Sequence, residues 1–302
     1  MLFVLLCGKL LGVFTEEPSQ QQLNPLAEEH AEPPAPVLVQ EVQPASPQSL
    51  MWWLPWIDVG KAVLVWVVSV LLLLFVPVMV ALPYLVYRIA VAGAPSPEVL
   101  ATDKTLIFFS VIGILPTHLL TFVVAWMFIS NGGRRPFWKA IGFEWPANTR
   151  PVIGALLSLL VAIVLLLVAW LVTKFWGGNK TQLDLLIESS LATRFATAFV
   201  AVATAPLVEE LIYRGVVYPA IEKAAGVGVA VVAVSLLFAG VHVFQYMNNI
   251  AVIVVITLLS FTLTIARAVT GKLMPSFVIH LVFNGIQSII LVLAPFIDKG
   301  TG

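Results

Sequence analysis

The sequence predicts an all-α, polytopic bundle of transmembrane helices, and three observations carry that prediction. Of its 302 residues, 60% are hydrophobic and only 11% charged, where soluble domains carry about a quarter charged residues. The apolar residues lie in continuous runs long enough to cross a bilayer as helices, not in the alternating segments of a β-barrel. The ionisable residues that interrupt those runs are few and concentrate in the last third of the chain. The composition also excludes some functions. Sixteen basic and sixteen acidic residues cancel, so no net positive field attracts nucleic acid. A single cysteine, Cys7, rules out an internal disulfide, a CxxC redox pair and a Cys-rich metal site.

In chain order, residues 1–14 are apolar but at ~1.5 Å per residue reach only about 21 Å, short of a roughly 30 Å hydrocarbon core. They are read as a short apolar segment, without the basic start of a signal peptide and with Leu6 where a lipobox needs a small residue. Residues 15–50, rich in Pro, Gln, Glu and Ser, bury too little apolar surface to offset ordering and are expected to be a disordered tail, His30 included. The membrane domain then occupies residues 51–302. It opens on MWWLPW, whose Trp52, Trp53 and Trp56 suit an interfacial aromatic belt. Seven spans are predicted near 62–85, 105–129, 152–173, 190–221, 228–246, 249–268 and 273–296. If they alternate, Lys61, Arg134, Arg135, Lys139, Arg150, Lys223, Arg267 and Lys272 share one side, which the positive-inside bias makes cytoplasmic. An integral, multi-pass protein of the cell membrane is the expectation.

Ionisable groups at membrane depth are costly unless paired or hydrated, so each is a functional hypothesis with a partner to be found. The fourth span reads TAPLVEELIYRG. Glu210 and Arg214 stand at i and i+4 on one face and can pair, while Glu209 points about 100° away with no partner on its own helix. Pro206 lacks an N–H and is expected to break or kink the helix just ahead of Glu209, opening backbone groups to water. The fifth span places Phe238 and His242 at the same spacing in FAGVH, and the seventh places His280 and Asn284 so in HLVFN. Counting from the loop at 223–228, Glu209 and His242 each lie about 21 Å deep, with Asn284 near 18 Å from the same side and His280 a turn shallower. Polar residues scattered for local reasons have no cause to share a level.

Such a cluster suits hydrolysis of a peptide or amide bond. Glu209 is placed to activate water, His242 to hold that water and move its proton, and His280 with Asn284 to donate to an oxyanion. An alternative takes Glu209, His242 and His280 as a His₂Glu set for Zn²⁺ with Glu210 as the base. The residues leave both open. No HExxH, GxSxG or Walker A motif occurs, which withholds support from the common zinc-protease, serine-hydrolase and ATP-driven classes. Two other classes compete: a non-catalytic scaffold or immunity factor whose polar cluster only ties helices together, and an ion-coupled transporter, against which the lack of an internal repeat weighs.

EELIYR, FAGVH and HLVFN resemble, in order and spacing, the EExxxR, FxxxH and HxxxN/D signatures of the CPBP family, which holds the type II CAAX prenyl proteases and bacteriocin-processing or immunity proteins. The resemblance extends over residues 190–290, the expected catalytic core. It implies an intramembrane endopeptidase acting on a membrane-associated or lipidated protein, with Glu209 activating water, His242 assisting, His280 and Asn284 at the oxyanion, and Glu210, Arg214 and Phe238 in support. Partners are then the lipid bilayer and a protein or peptide substrate. The resemblance leaves the metal question open, and the Pro-rich tail and seven spans rather than eight depart from it. Outside the motifs, His118, two residues after Pro116, is expected to bond backbone freed by that proline, and Arg134, Arg135 and Lys139 to set topology.

Overall fold

Backbone inside a bilayer has no water to bond and must satisfy itself, and every regular element here is helical. The structure is a computed structural model that describes residues 54–177, 181–247 and 249–298, and among these there is no strand. The expectations for residues 1–14, for the tail at 15–50 with His30, and for Trp52 and Trp53 lie outside the described residues. The chain divides into units Met1–Leu54 and Pro55–Gly302, and the second holds the helical bundle.

In order the elements are α1 (Leu54–Ala92), the short α2 (Pro97–Thr102), α3 (Lys104–Ser130, turning at Gly113), the short α4 (Phe137–Ala140), α5 (Pro151–Trp176), α6 (Gln182–Ser189), α7 (Leu191–Ala225), α8 (Val227–Tyr246), α9 (Ile250–Thr270) and α10 (Met274–Asp298). The seven predicted runs correspond to α1, α3, α5, α7, α8, α9 and α10. Six of these are long and apolar enough to cross a membrane, and α8 is the exception, its apolar part being the shorter stretch Val227–Val243. Its last turn carries Gln245 and Tyr246, which line a cavity.

Local chemistry sets the ends. Asp103 caps α3 by accepting the N–H groups of Thr105 and Leu106. Thr181 and Asp184 form a reciprocal capping box on α6. Asn131 at φ 51° and Gly271 at φ 65° close α3 and α9 in the left-handed conformation.

Helix α7 is the hub. Its residues Leu211, Ile212, Tyr213, Val216, Val217 and Tyr218 pack with Ala62 and Val65 of α1, Ala125 of α3, and Val231, Val234 and Phe238 of α8. A second cluster joins α5, α9 and α10 through Ala162, Leu165, Val255, Leu259, Leu263, Ile279 and Phe283. The outermost span, α1, buries 6% of its most apolar window against 39% for α7. Polar ties hold α1 at three levels: Lys223 Nζ to Asp58 at 2.8 Å, Trp66 Nε1 donating to Tyr213 Oη at 3.2 Å, and Tyr84 Oη donating to Asp103 at 2.9 Å. At Pro77 it lies so close to Gly113 that a Cβ there would come within 2.6 Å of the proline Cα.

Three of the basic residues expected on one side make ion pairs. Lys61 and Lys223 share Asp58, Lys272 pairs with Glu144 in the loop between α4 and α5, and Leu273 N–H donates to Gly142 O.

Candidate active site

Helix α7 is not uniform. Two π-helical turns, Val200–Thr204 and Leu211–Val217, enclose a six-residue α-helical piece, Ala205–Glu210, that carries both glutamates. The break expected at Pro206 is there, since Pro206 opens the α-helical piece and Thr204 just before it sits at φ −125°, ψ −40°. Wide turns of this kind recur where a helix must aim side chains for function.

The two glutamates part company as their spacing requires. Glu210 and Arg214 are both fully buried. Arg214 Nη1 donates to Glu210 Oε1 at 3.0 Å, Nη2 to the carbonyl and hydroxyl of Ser260 at 3.0 and 2.9 Å, and Nε to Thr264 Oγ1 at 3.2 Å. The guanidinium also stacks over Phe238, 4.8 Å from its centroid. Glu209 instead faces a cavity of about 640 Å³ that it lines together with His242, His280, Asn284, His118 and Phe238. One cavity therefore joins the three motifs.

Hydrogen bonds assign the protons of two imidazoles. His242 Nδ1 lies 2.8 Å from the Phe238 carbonyl. A carbonyl only accepts, so Nδ1 carries the proton, and no described residue pairs with Nε2. His280 stands between the glutamates, with Nδ1 3.0 Å from Glu210 Oε1 and Nε2 3.7 Å from Glu209 Oε2. Glu210, held by Arg214, accepts from Nδ1 and so turns the other ring nitrogen toward Glu209. Asn284 spends one amide N–H on the Ala201 carbonyl at 3.0 Å, inside the first π turn, and keeps a second.

Among the described residues no three His, Cys, Asp or Glu side chains are grouped to hold a metal ion. His242 and His280 each commit Nδ1 to protein, which leaves Nε2 of both rings as the nitrogen facing the cavity.

Some cavity residues escape the sequence motifs. His118 does not bond the backbone near Pro116. Its Nδ1 lies 2.7 Å from Thr204 Oγ1, on α7. The sequence carries no signal for that partner, 86 residues away. Tyr213, inside EELIYR, lines the cavity and accepts from Trp66. Towards α5, α9 and the end of α10 the lining is apolar, with Leu166, Ala169, Val255, Leu259 and Leu291 among its residues.

Residues 191–286 match the family model described as type II CAAX prenyl endopeptidase Rce1-like. No curated protein and no solved structure matches the chain. The matched segment holds EELIYR, FAGVH and HLVFN, the helix pieces that aim them and most of the bonds that fix them. Over that segment the chain is similar to the Rce1-like type II CAAX prenyl endopeptidases, in keeping with the CPBP resemblance of its three motifs.

Proposed function

We propose that this protein hydrolyses a peptide bond in a membrane-associated or lipidated protein of the cell membrane, using water activated by Glu209. The observation that carries the reading is the division of labour between adjacent glutamates. Glu210 is locked by Arg214 and orients His280, while Glu209 has no partner on its own helix and meets His280 Nε2 at 3.7 Å in the cavity.

The steps follow from the groups available. Glu209 takes a proton from water as the oxygen attacks the scissile carbonyl carbon. His242 Nε2 accepts the water's other hydrogen and aims it. The carbonyl oxygen, now an oxyanion, receives the free N–H of Asn284 and the Nε2–H of His280 when that ring is protonated. Glu209 returns its proton to the leaving amine as the C–N bond breaks, leaving a carboxylic acid and an amine. The apolar extension of the cavity suits a lipid chain or apolar side chain lying beside the bond, and its volume is that of a binding site for a drug-sized group.

The test is cleavage of a fluorogenic, prenylated peptide ending in a CAAX sequence by the purified protein in liposomes. Wild type is compared with Glu209→Ala and His242→Ala, each with and without a strong zinc chelator. Cleavage that both variants lose and the chelator spares supports the reading. Cleavage that persists in Glu209→Ala overturns the assignment of the base, and loss with chelator alone returns the chemistry to a metal.

A further inference from the structure

We propose that His118 and Thr204 form a positioning pair that keeps the turn ahead of Glu209 wide and thereby holds the Glu209 carboxylate in the cavity. The proposal rests on the role given to Glu209 above. Pro206 has no N–H, so a regular helical turn around it is already one hydrogen bond short. The chain answers with a π turn in which the Ala205 N–H reaches back to the Val200 carbonyl. A π turn holds one residue more than an α turn, and one residue corresponds to about 100° of rotation about the helix axis. That is the angle between Glu209 and Glu210. If the wide turn relaxed to α-helix, the glutamates would rotate by about that angle and Glu209 would leave the cavity wall.

Three side-chain bonds oppose the relaxation. Thr204 Oγ1 donates to the Val200 carbonyl at 3.2 Å, Asn284 Nδ2 donates to the Ala201 carbonyl at 3.0 Å, and His118 Nδ1 meets Thr204 Oγ1 at 2.7 Å, the shortest of the three. The Thr204 hydroxyl has one proton and gives it to Val200, so it accepts from His118 and Nδ1 is the protonated nitrogen. Thr204 is also the residue whose backbone leaves helical geometry. His118 therefore fixes the break from a different helix, α3. Its ring lines the same cavity as Glu209, yet its bonded nitrogen points at the scaffold. Its role is exercised through Glu209.

The test reads the orientation of position 209 without requiring turnover. Cys7 is the only native thiol, so in a Cys7→Ser background Glu209→Cys is the sole target for a small, water-soluble methanethiosulfonate reagent. Adding His118→Ala or Thr204→Val is expected to slow labelling about two- to tenfold, the effect of one lost hydrogen bond to the turn. His118→Asn, which keeps a donor at the Nδ1 position, is expected to restore labelling, whereas His118→Gln, which offers one at the Nε2 position, is not. With Glu209 present and the prenylated peptide as probe, kcat is expected to fall about 10- to 100-fold in His118→Ala and Thr204→Val at similar KM, with the double variant no worse than either. Unchanged labelling in both variants overturns the proposal, as does rescue by Gln in place of Asn. If wild type leaves the peptide uncut, the hydrolytic reading fails while the labelling result still decides whether the pair orients position 209.

Discussion

Arg214 has no route to water, and every nitrogen of its guanidinium finds an acceptor in protein. Removing it leaves the Glu210 charge buried without its counter-ion, so Arg214→Ala is expected to cost about 3–5 kcal/mol of stability, measured by denaturant titration in detergent. Arg214→Lys recovers only part of this, because an ammonium cannot serve Glu210, Ser260 and Thr264 from one planar fork. Glu209→Gln has the opposite profile. The fold and melting temperature are expected to persist while peptide cleavage falls about 10²- to 10⁴-fold, the range for loss of a general base. The contrast between these neighbours was legible in the sequence because i,i+4 spacing pairs Glu210 with Arg214 and excludes Glu209. The partners that complete the picture were not. Ser260 lies 46 residues beyond Arg214 and His280 lies 70 beyond Glu210, and no local pattern announces either. For the same reason His280 was expected at the oxyanion or on a metal, and its place between the two carboxylates was not read from the sequence.

Helix ends and breaks decide whether these side chains arrive together. Asp103 caps α3 and takes the Tyr84 hydroxyl and the charge of Arg88 at 3.8 Å from α1. Burial works against ionisation of its carboxyl, but the N–H groups of Leu106 and Thr105, the Tyr84 hydroxyl and Arg88 together outweigh it and hold Asp103 below the ordinary carboxylate range. A lowered folded-state pKa adds stability that is complete above the unfolded value of about 3.9 and disappears as pH falls through the folded value. Acidification below about pH 4 is therefore expected to free the α1–α3 junction before the core. Asp103→Ala is expected to cost about 1 kcal/mol at neutral pH and to abolish this acid sensitivity, as followed by hydrogen exchange of the first turn of α3. Gly113→Ala tests the neighbouring contact. Its Cβ would fall 2.6 Å from Pro77 Cα, a backbone atom that cannot rotate aside, so α1 is expected to be pushed from α3. Pro206 made the break in α7 readable. The two π turns around the glutamates were not readable, because a wide turn has no composition of its own, and the side chains that bond the first of them, His118 and Asn284, come from other helices.

At the scale of the molecule, six long apolar helices and a shorter seventh enclose a cavity that the three motifs line with polar groups and α9 lines with apolar ones. Narrowing the apolar part tests what it receives. Ala169→Phe is expected to raise KM about tenfold for each pair of methylenes excluded from a lipidated peptide, at about 0.8 kcal/mol per CH₂, and to leave short-chain substrates unaffected. The spans themselves were legible from apolar length, and the shared depth of Glu209, His242 and Asn284 from counting. The shortness of α8 was masked by its run of helix-forming residues, since Gln245 and Tyr246 continue the helix without continuing its apolar surface.

The helix that carries both glutamates is also the span with the lowest mean hydropathy, 1.6 against 2.0 to 3.1 for the other five. The further hydrogen bonds on its Glu210–Arg214 pair come from groups synthesised later: Ser260 and Thr264 follow Arg214 by 46 and 50 residues, and His280 follows Glu210 by 70. At roughly 5–20 residues per second, ribosomes leave α7 waiting for about 2 to 14 s with its buried pair incomplete. A nascent chain halted before Ser260 would therefore present to the membrane-insertion machinery an ion pair short of its outer hydrogen bonds and, in Glu209, a carboxylate with no partner on its helix. Biogenesis, more than the finished bundle, is where this chain is most exposed to quality control.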